Sequence, residues 1–219
     1  MRIALAEDSA LLRVGLTELL TSRGHQVGTA VDNAAELLAA VNAADDGGLP
    51  DVVVLDNRMP PTFTNEGIRA ALTLRRAHPN VGVLVLSQYV ETRYAAELLA
   101  GNPAGVGYLL KDRVADVADF LAALDRLARG ETVLDPEVVQ QLMGASRHRS
   151  DLQRLTPRET EVLQLMAQGR TNAAVGSALF LSAGAVEKNI TSIFAKLGLQ
   201  QSPEDHRRVL AVLAYLQSA

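Results

Sequence analysis

The sequence has no cysteine among its 219 residues. That absence excludes disulfides, thiol catalysis and thiolate-bound metals. An unbroken apolar run of membrane length is missing as well. Leu11–Leu20 is interrupted by Arg13 and Glu18, so it does not read as a span. The start of the chain offers no basic segment leading into an apolar core. Met1–Asp8 reads instead as a strand with acids at its end. The expectation is a soluble, cytoplasmic protein without a membrane partner.

Apolar residues make up 48% of the chain, enough for a sizeable core. The length suits one or two domains. Charge is shared unevenly. Residues 1–146 carry 12 basic and 19 acidic side chains, a balance of −7; residues 147–219 carry 9 and 6, a balance of +3. An acidic front and a mildly basic back suggest two domains with different partners.

The front half is organised around Asp51–Pro60, DVVVLDNRMP. Four apolar residues, Val52–Leu55, form a run of the kind buried on both faces of a parallel sheet. The run stops at Asp56, and Pro60–Pro61 then begin a loop. Apolar strands are also expected at Arg2–Ala6, Gln26–Ala30, Val81–Leu86 and Gly105–Leu110. Helical patterns alternate with them: Ser9 caps a helix with Leu11, Leu12, Leu16, Leu19 and Leu20 on its apolar face, and others cover 34–43, 67–78, 91–100 and 115–129. This alternation predicts a doubly wound α/β fold with five parallel strands.

Glu7, Asp8, Asp56, Ser87 and Lys111 each follow an apolar strand, so they are expected at one edge of the sheet. Alone, each has an ordinary reading as a loop or capping residue. Together, three crowded carboxylates call for a cation, and an oxygen-only ligand set suits Mg2+. A carboxylate nucleophile, a hard cation, an ammonium and a hydroxyl are the parts phosphoryl transfer needs.

The back half begins with a turn at Asp135–Pro136, a short helix 137–143 and the polar, basic stretch SRHRS (146–150), read as a tether. Thr156, Pro157 and Glu159 then form a capping box with proline at the first helical position. Helices follow over 159–168, from Thr171 or Asn172 to Leu179, from Ser182 to about Leu197, and from Ser202–Asp205 onward. The tight Phe180–Leu181–Ser182 join is that of a helix-turn-helix. The domains are therefore set at 1–130, a helical linker at 131–151, and a small four-helix domain at 152–219.

The motifs LAED, VVVLDNRMP, VLVLSQY and GYLLKD resemble, in order and spacing, the receiver domain of two-component response regulators, a flavodoxin-like fold. LTPRETEVLQLMAQGRTNAAV and AVEKNITSIFAKLGL resemble the LuxR-type DNA-binding domain. The pairing is that of the NarL/FixJ class. The resemblance implies that Asp56 accepts a phosphoryl group from a sensor histidine kinase. It implies that Glu7, Asp8, Asp56 and the Arg58 backbone carbonyl hold Mg2+. Lys111 would bind phosphoryl oxygens, and Ser87 and Tyr108 would form the switch pair. On phosphorylation Ser87 and Lys111 would be drawn in and Tyr108 would turn inward.

Ser182–Leu197 would be the recognition helix on double-stranded DNA. Lys188 and Thr191 would face base edges, and Asn189, Ser192 and Lys196 would face phosphates. Activation would involve a homodimer. Asn189 stands where many relatives have His, and Gly176 where Ala is usual. The protein is expected to be a transcriptional regulator, not an enzyme. An aspartyl-phosphate phosphatase would want a second Asp two residues after the nucleophile, where Arg58 stands. A phosphorylation-independent regulator, using the receiver only for dimerisation, is the remaining alternative.

Overall fold

The structure, a computed structural model, describes residues 1–45, 48–201 and 206–218, without the side chains of 145–149, 217 and 218. It contains two compact units, Met1–Leu142 and Met143–Ala219.

The first unit has strands β1 (Arg2–Ala6), β2 (Gln26–Val31), β3 (Val52–Asp56), β4 (Gly82–Ser87), β5 (Val106–Leu110) and β6 (Val133–Leu134). They form one parallel sheet in the order β2-β1-β3-β4-β5-β6. Helices α1 (Ala10–Ser22), α2 (Ala34–Asn42), α3 (Glu66–Ala77), α4 (Thr92–Leu99) and α5 (Val117–Ala128) connect them. Residues alternate between the two sheet faces. Val53 and Leu55 join Leu37 of α2, Ile68 of α3 and Leu98 of α4. Val52 and Val54 join Leu16 and Leu20 of α1 and Phe120 of α5. Both faces are apolar, so the central strands read as runs rather than as alternation.

Three sequence expectations need correction here. The sheet has six strands, not five. β6 is two residues long, too short to carry a period, and pairs Gly107 and Tyr108 of β5 with Val133 and Leu134. The helix expected from residue 115 starts at Val117, because Lys111–Ala115 is a 3₁₀ turn and the Asp116 carboxylate caps α5. Leu11 is 86% exposed. The buried stripe of α1 is Leu16 and Leu20 with Leu12 and Leu19 beside them, and Leu11 lies about one 100° step off it.

Helix α6 runs from Pro136 to Gln153, and the division between the units falls inside it. The stretch read as a tether is therefore helical in its backbone. No proline or glycine lies between Ala145 and Gln153, and polar side chains alone do not stop a helix. Arg147 and Arg149 lie outside the described side chains.

In the second unit α7 (Pro157–Ala167), α8 (Asn172–Leu179), α9 (Ala183–Lys196) and α10 (Arg207–Ser218) surround one core. The Thr156–Glu159 capping box forms, with Pro157 at the start of α7. Thr171 and Ser182 cap α8 and α9. The expected opening of α10 at Ser202–Asp205 lies outside the described residues. Val162, Leu163, Val186, Ile190, Ile193 and Phe194 are buried. On α10 Ala211 and Ala214 are buried and Val212 and Tyr215 pack against the core, while Val209, Leu213 and Leu216 are exposed. Among the described residues no helix is long and apolar enough to cross a membrane.

Candidate functional site

Because the strands are parallel, their carboxyl ends share one rim. β1 delivers Glu7 and Asp8, β3 delivers Asp56, β4 ends in Ser87 and β5 leads into Lys111. Ligand oxygens of Glu7, Asp8 and Asp56 lie within 4.8 Å of one another. Lys111 bridges two of these acids, with Nζ 3.0 Å from Asp56 Oδ2 and 2.9 Å from Glu7 Oε2. One cation already answers the clustered negative charge, and the all-oxygen donor set fits a hard divalent ion such as Mg2+.

Burial pushes the Asp56 carboxyl up, and the neighbouring Glu7 pushes the same way; Lys111 opposes both, leaving Asp56 at about 6. Burial also raises Glu7 against the pull of Lys111. Burial alone would lower the Lys111 ammonium, but its hydrogen bonds to Glu7 and Asp56 raise it. Asp56 is therefore a buried carboxylate, mainly ionised at neutral pH and paired with a lysine.

The backbone around Asp56 is held by close packing. Asn57 N donates to Leu86 O (2.8 Å), and Gly67 N donates to Asn57 O (3.0 Å). A Cβ on Gly67 would lie 1.9 Å from the Asp56 carbonyl oxygen. Position 67 therefore has no room for a side chain while Asp56 stays where it is. The Asn57 side chain is fully buried, and its Oδ1 and Nδ2 have no hydrogen-bond partner.

Ser87 Oγ donates to Tyr89 O (2.7 Å), and the Tyr108 hydroxyl donates to the same oxygen (3.1 Å). Glu91 N in turn donates to Tyr108 Oη (3.3 Å). Tyr108 is 0% exposed, so its side chain occupies the inward position. Its ring completes the α2–α4 face of the core, and its hydroxyl reaches the β4–α4 loop. Arg58 projects its side chain to Glu91 (3.0 Å) and over the Tyr89 ring, 5.7 Å from its centre.

In the second unit the five candidate residues on α9 have different surroundings. Lys188 and Thr191 are exposed. Asn189 Nδ2 donates back to Ala185 O (2.7 Å). Ser192 Oγ and Lys196 Nζ both reach the buried carboxylate of Glu159, each at 2.6 Å. Burial alone would raise Glu159, but Lys196, Ser192 and the Thr156 amide hold it at about 2. Ser192 and Lys196 thus face inward and are satisfied there. Sequence reasoning found Glu159 as a capping residue and missed that it anchors α9. The spacing gave no signal, because the partners lie 33 and 37 residues away.

The join between α8 and α9 is close. A Cβ on Gly176 would lie 2.9 Å from Leu181 O, and Leu181 N donates to Gly176 O (2.9 Å). Phe180, at the turn, has a φ of 55° and is 96% exposed.

Comparison with known proteins covers both units. Residues 3–124 match the model of the response regulator receiver domain, and residues 153–209 match that of the bacterial regulatory proteins, luxR family. The chain is 29% identical to the oxygen regulatory protein NreC of Staphylococcus carnosus, covering 93% of this chain and 94% of that protein. It is 29% identical to the transcriptional regulatory protein DegU of Brevibacillus brevis, over 91% and 88% of the two chains. Its fold is similar to that of the RcsB response regulator of Salmonella typhimurium, at TM-score 0.66 and 23% identity over 99% and 98% of the chains.

Proposed function

Since the chain belongs to the response regulators, carrying a receiver domain and a LuxR-type DNA-binding domain, we propose that it is a transcriptional regulator switched by phosphorylation of Asp56. The observation that carries this reading is the rim itself: one buried carboxylate at about 6, flanked by two more and paired with Lys111 at 3.0 Å. Residues 1–130 would be the receiver, 131–151 the linker and 152–219 the DNA-binding domain.

The donor would be a phosphohistidine of a sensor kinase. An Asp56 oxygen attacks phosphorus as the P–N bond breaks, and the imidazole leaves and takes up a proton. Mg2+, held by Glu7, Asp8, Asp56 and the Arg58 carbonyl, would supply positive charge against the phosphoryl oxygens. Lys111 exchanges the Asp56 carboxylate for a phosphoryl oxygen. Ser87 leaves Tyr89 O to donate to another, and Tyr108, already inward, keeps the emptied acceptor satisfied.

Double-stranded DNA is the proposed partner of the second unit, with α9 in the major groove and Lys188 and Thr191 as its outward contacts. Asn189, Ser192 and Lys196 support that helix from within. A homodimer would place two such helices on adjacent half-sites, and the protein would act in the cytoplasm.

Incubation with acetyl phosphate and Mg2+, followed by intact mass, tests the chemistry. The wild type gains one phosphoryl group and Asp56→Asn gains none. No gain in the wild type defeats the proposal. In a second reading, DNA binding does not need phosphorylation. Equal DNA affinity of phosphorylated wild type and Asp56→Ala would select it.

A further inference from the structure

Asp135 is a fully buried carboxylate that the chemistry above does not use. Its surroundings connect three elements. Oδ2 accepts from Arg113 Nε at 2.9 Å, and Oδ1 accepts from Glu137 N at 2.9 Å. Its backbone N donates to Tyr108 O at 2.9 Å, next to the β5–β6 register pair Tyr108–Leu134. Burial works against this charge, and the bonds from Arg113, from Glu137 N and from the Leu110 backbone more than offset it, holding Asp135 low.

Tyr108 and Leu110 belong to β5. Arg113 is two residues beyond Lys111, on the same 3₁₀ turn. Glu137 is in the first turn of α6. That helix buries Val138 in the core of the first unit, and Leu152, near its other end, packs against the core of the second.

A cap alone would not need this arrangement. Asparagine or serine at this position would satisfy the Glu137 amide as well, without burying a charge. The added element is the ion pair to a turn that starts at Lys111. A buried carboxylate whose partner moves is left uncompensated, so displacement of the Lys111 turn is felt at the start of α6.

We propose that the Arg113–Asp135 pair is the coupling device that passes the state of the phosphorylation rim to helix α6. This rests on the phosphorylation reading above. The movement that draws Lys111 toward a phosphoryl group shifts Arg113, and Asp135 transfers that shift to the helix it caps. Arg113 and Asp135 are positioning residues: neither touches the phosphoryl group or DNA.

The test uses the full chain, beryllofluoride with Mg2+ as the phosphoryl mimic, and a DNA duplex selected from a random pool by the wild type. Two quantities are measured separately: beryllofluoride affinity of the receiver and the gain in DNA affinity that it causes. Asp135→Asn keeps the cap and removes the charge; Arg113→Gln removes the cation from a half-exposed position. Both variants are expected to bind beryllofluoride within about two-fold of wild type, yet to lose most of the gain in DNA affinity. The double variant should be no worse than either single one, and Arg113→Lys should restore at least half of the gain. A purely structural role would lower the melting temperature and leave the gain intact, and that result overturns the proposal. So does a wild type that binds beryllofluoride without any change in DNA affinity. A wild type that does not take up beryllofluoride defeats the phosphorylation reading first, and this one with it.

Discussion

At the residue scale, two carboxylates carry opposite burdens. Asp56 has a folded pKa of about 6 against an ordinary value of 3.8. The native state therefore holds its proton more tightly than the unfolded chain. By linkage, stability falls as pH rises from about 4 to 6, and the penalty persists above that window. The shift corresponds to an upper figure of roughly 3 kcal/mol. Asp56→Asn should accordingly stabilise the metal-free protein at pH 8 by about 1–3 kcal/mol, with the difference closing toward pH 4. Urea unfolding at the two pH values measures this, and a variant no more stable than wild type at pH 8 contradicts the site's electrostatics. Glu159 is the reverse case, held at about 2 against 4.5. Its contribution is present above pH 4.5 and is lost as pH falls toward 2. Glu159→Gln should cost about 3 kcal/mol at neutral pH, read as an earlier melting of the second unit. The five strand-end residues were legible because strand ends show in a sequence. Glu159's partners were not, because tertiary pairing leaves no local period.

At the element scale, glycine positions decide how closely two elements approach. Gly67 and Gly15 make a matched pair. A Cβ at Gly67 meets the Asp56 carbonyl oxygen at 1.9 Å, whereas one at Gly15 of α1 meets nothing within 4 Å. Gly15→Ala should gain up to about 1 kcal/mol from helix propensity. Gly67→Ala should lose about 2 kcal/mol or more through overpacking and should abolish phosphorylation by displacing Asp56. Thermal melts with the acetyl phosphate assay check both, and a Gly67→Ala protein that still takes up phosphate at the wild-type rate refutes the argument. Gly176 read alone is a helix-weakening departure from the usual Ala. In the fold its missing Cβ admits Leu181 O at 2.9 Å, so Gly176→Ala should lower stability by about 1 kcal/mol rather than raise it. Main elements were readable from apolar runs and caps, as at Thr156, Thr171 and Ser182. β6 has only two residues to show, and the 3₁₀ turn after Lys111 resembles the start of α5. In the SRHRS stretch polarity marks exposure, not an end to helix.

At the scale of the whole molecule, the proposed phosphorylation rim lies in one unit and the proposed DNA-reading helix in the other. If the rim's state changes DNA affinity by some factor, DNA must change the rim's affinity for beryllofluoride by the same factor. A several-fold gain in one direction should be matched within error in the other by titrating each ligand in the presence and absence of its counterpart. A mismatch would mean that a third equilibrium, such as self-association, carries part of the effect. The uneven charge, −7 in front and +3 behind, made two domains legible. The Arg113–Asp135 pair proposed to couple them was not, since the two residues are 22 apart and look like surface and turn residues in the sequence.

The meeting of the Ser87 and Tyr108 hydroxyls on the Tyr89 carbonyl has a practical outcome. That group's stretching frequency depends on how many donors it has, so a carbon-13 label there gives an infrared line that moves when one donor departs. Such a line would follow signalling in real time, in solution, without a dye and without altering any side chain.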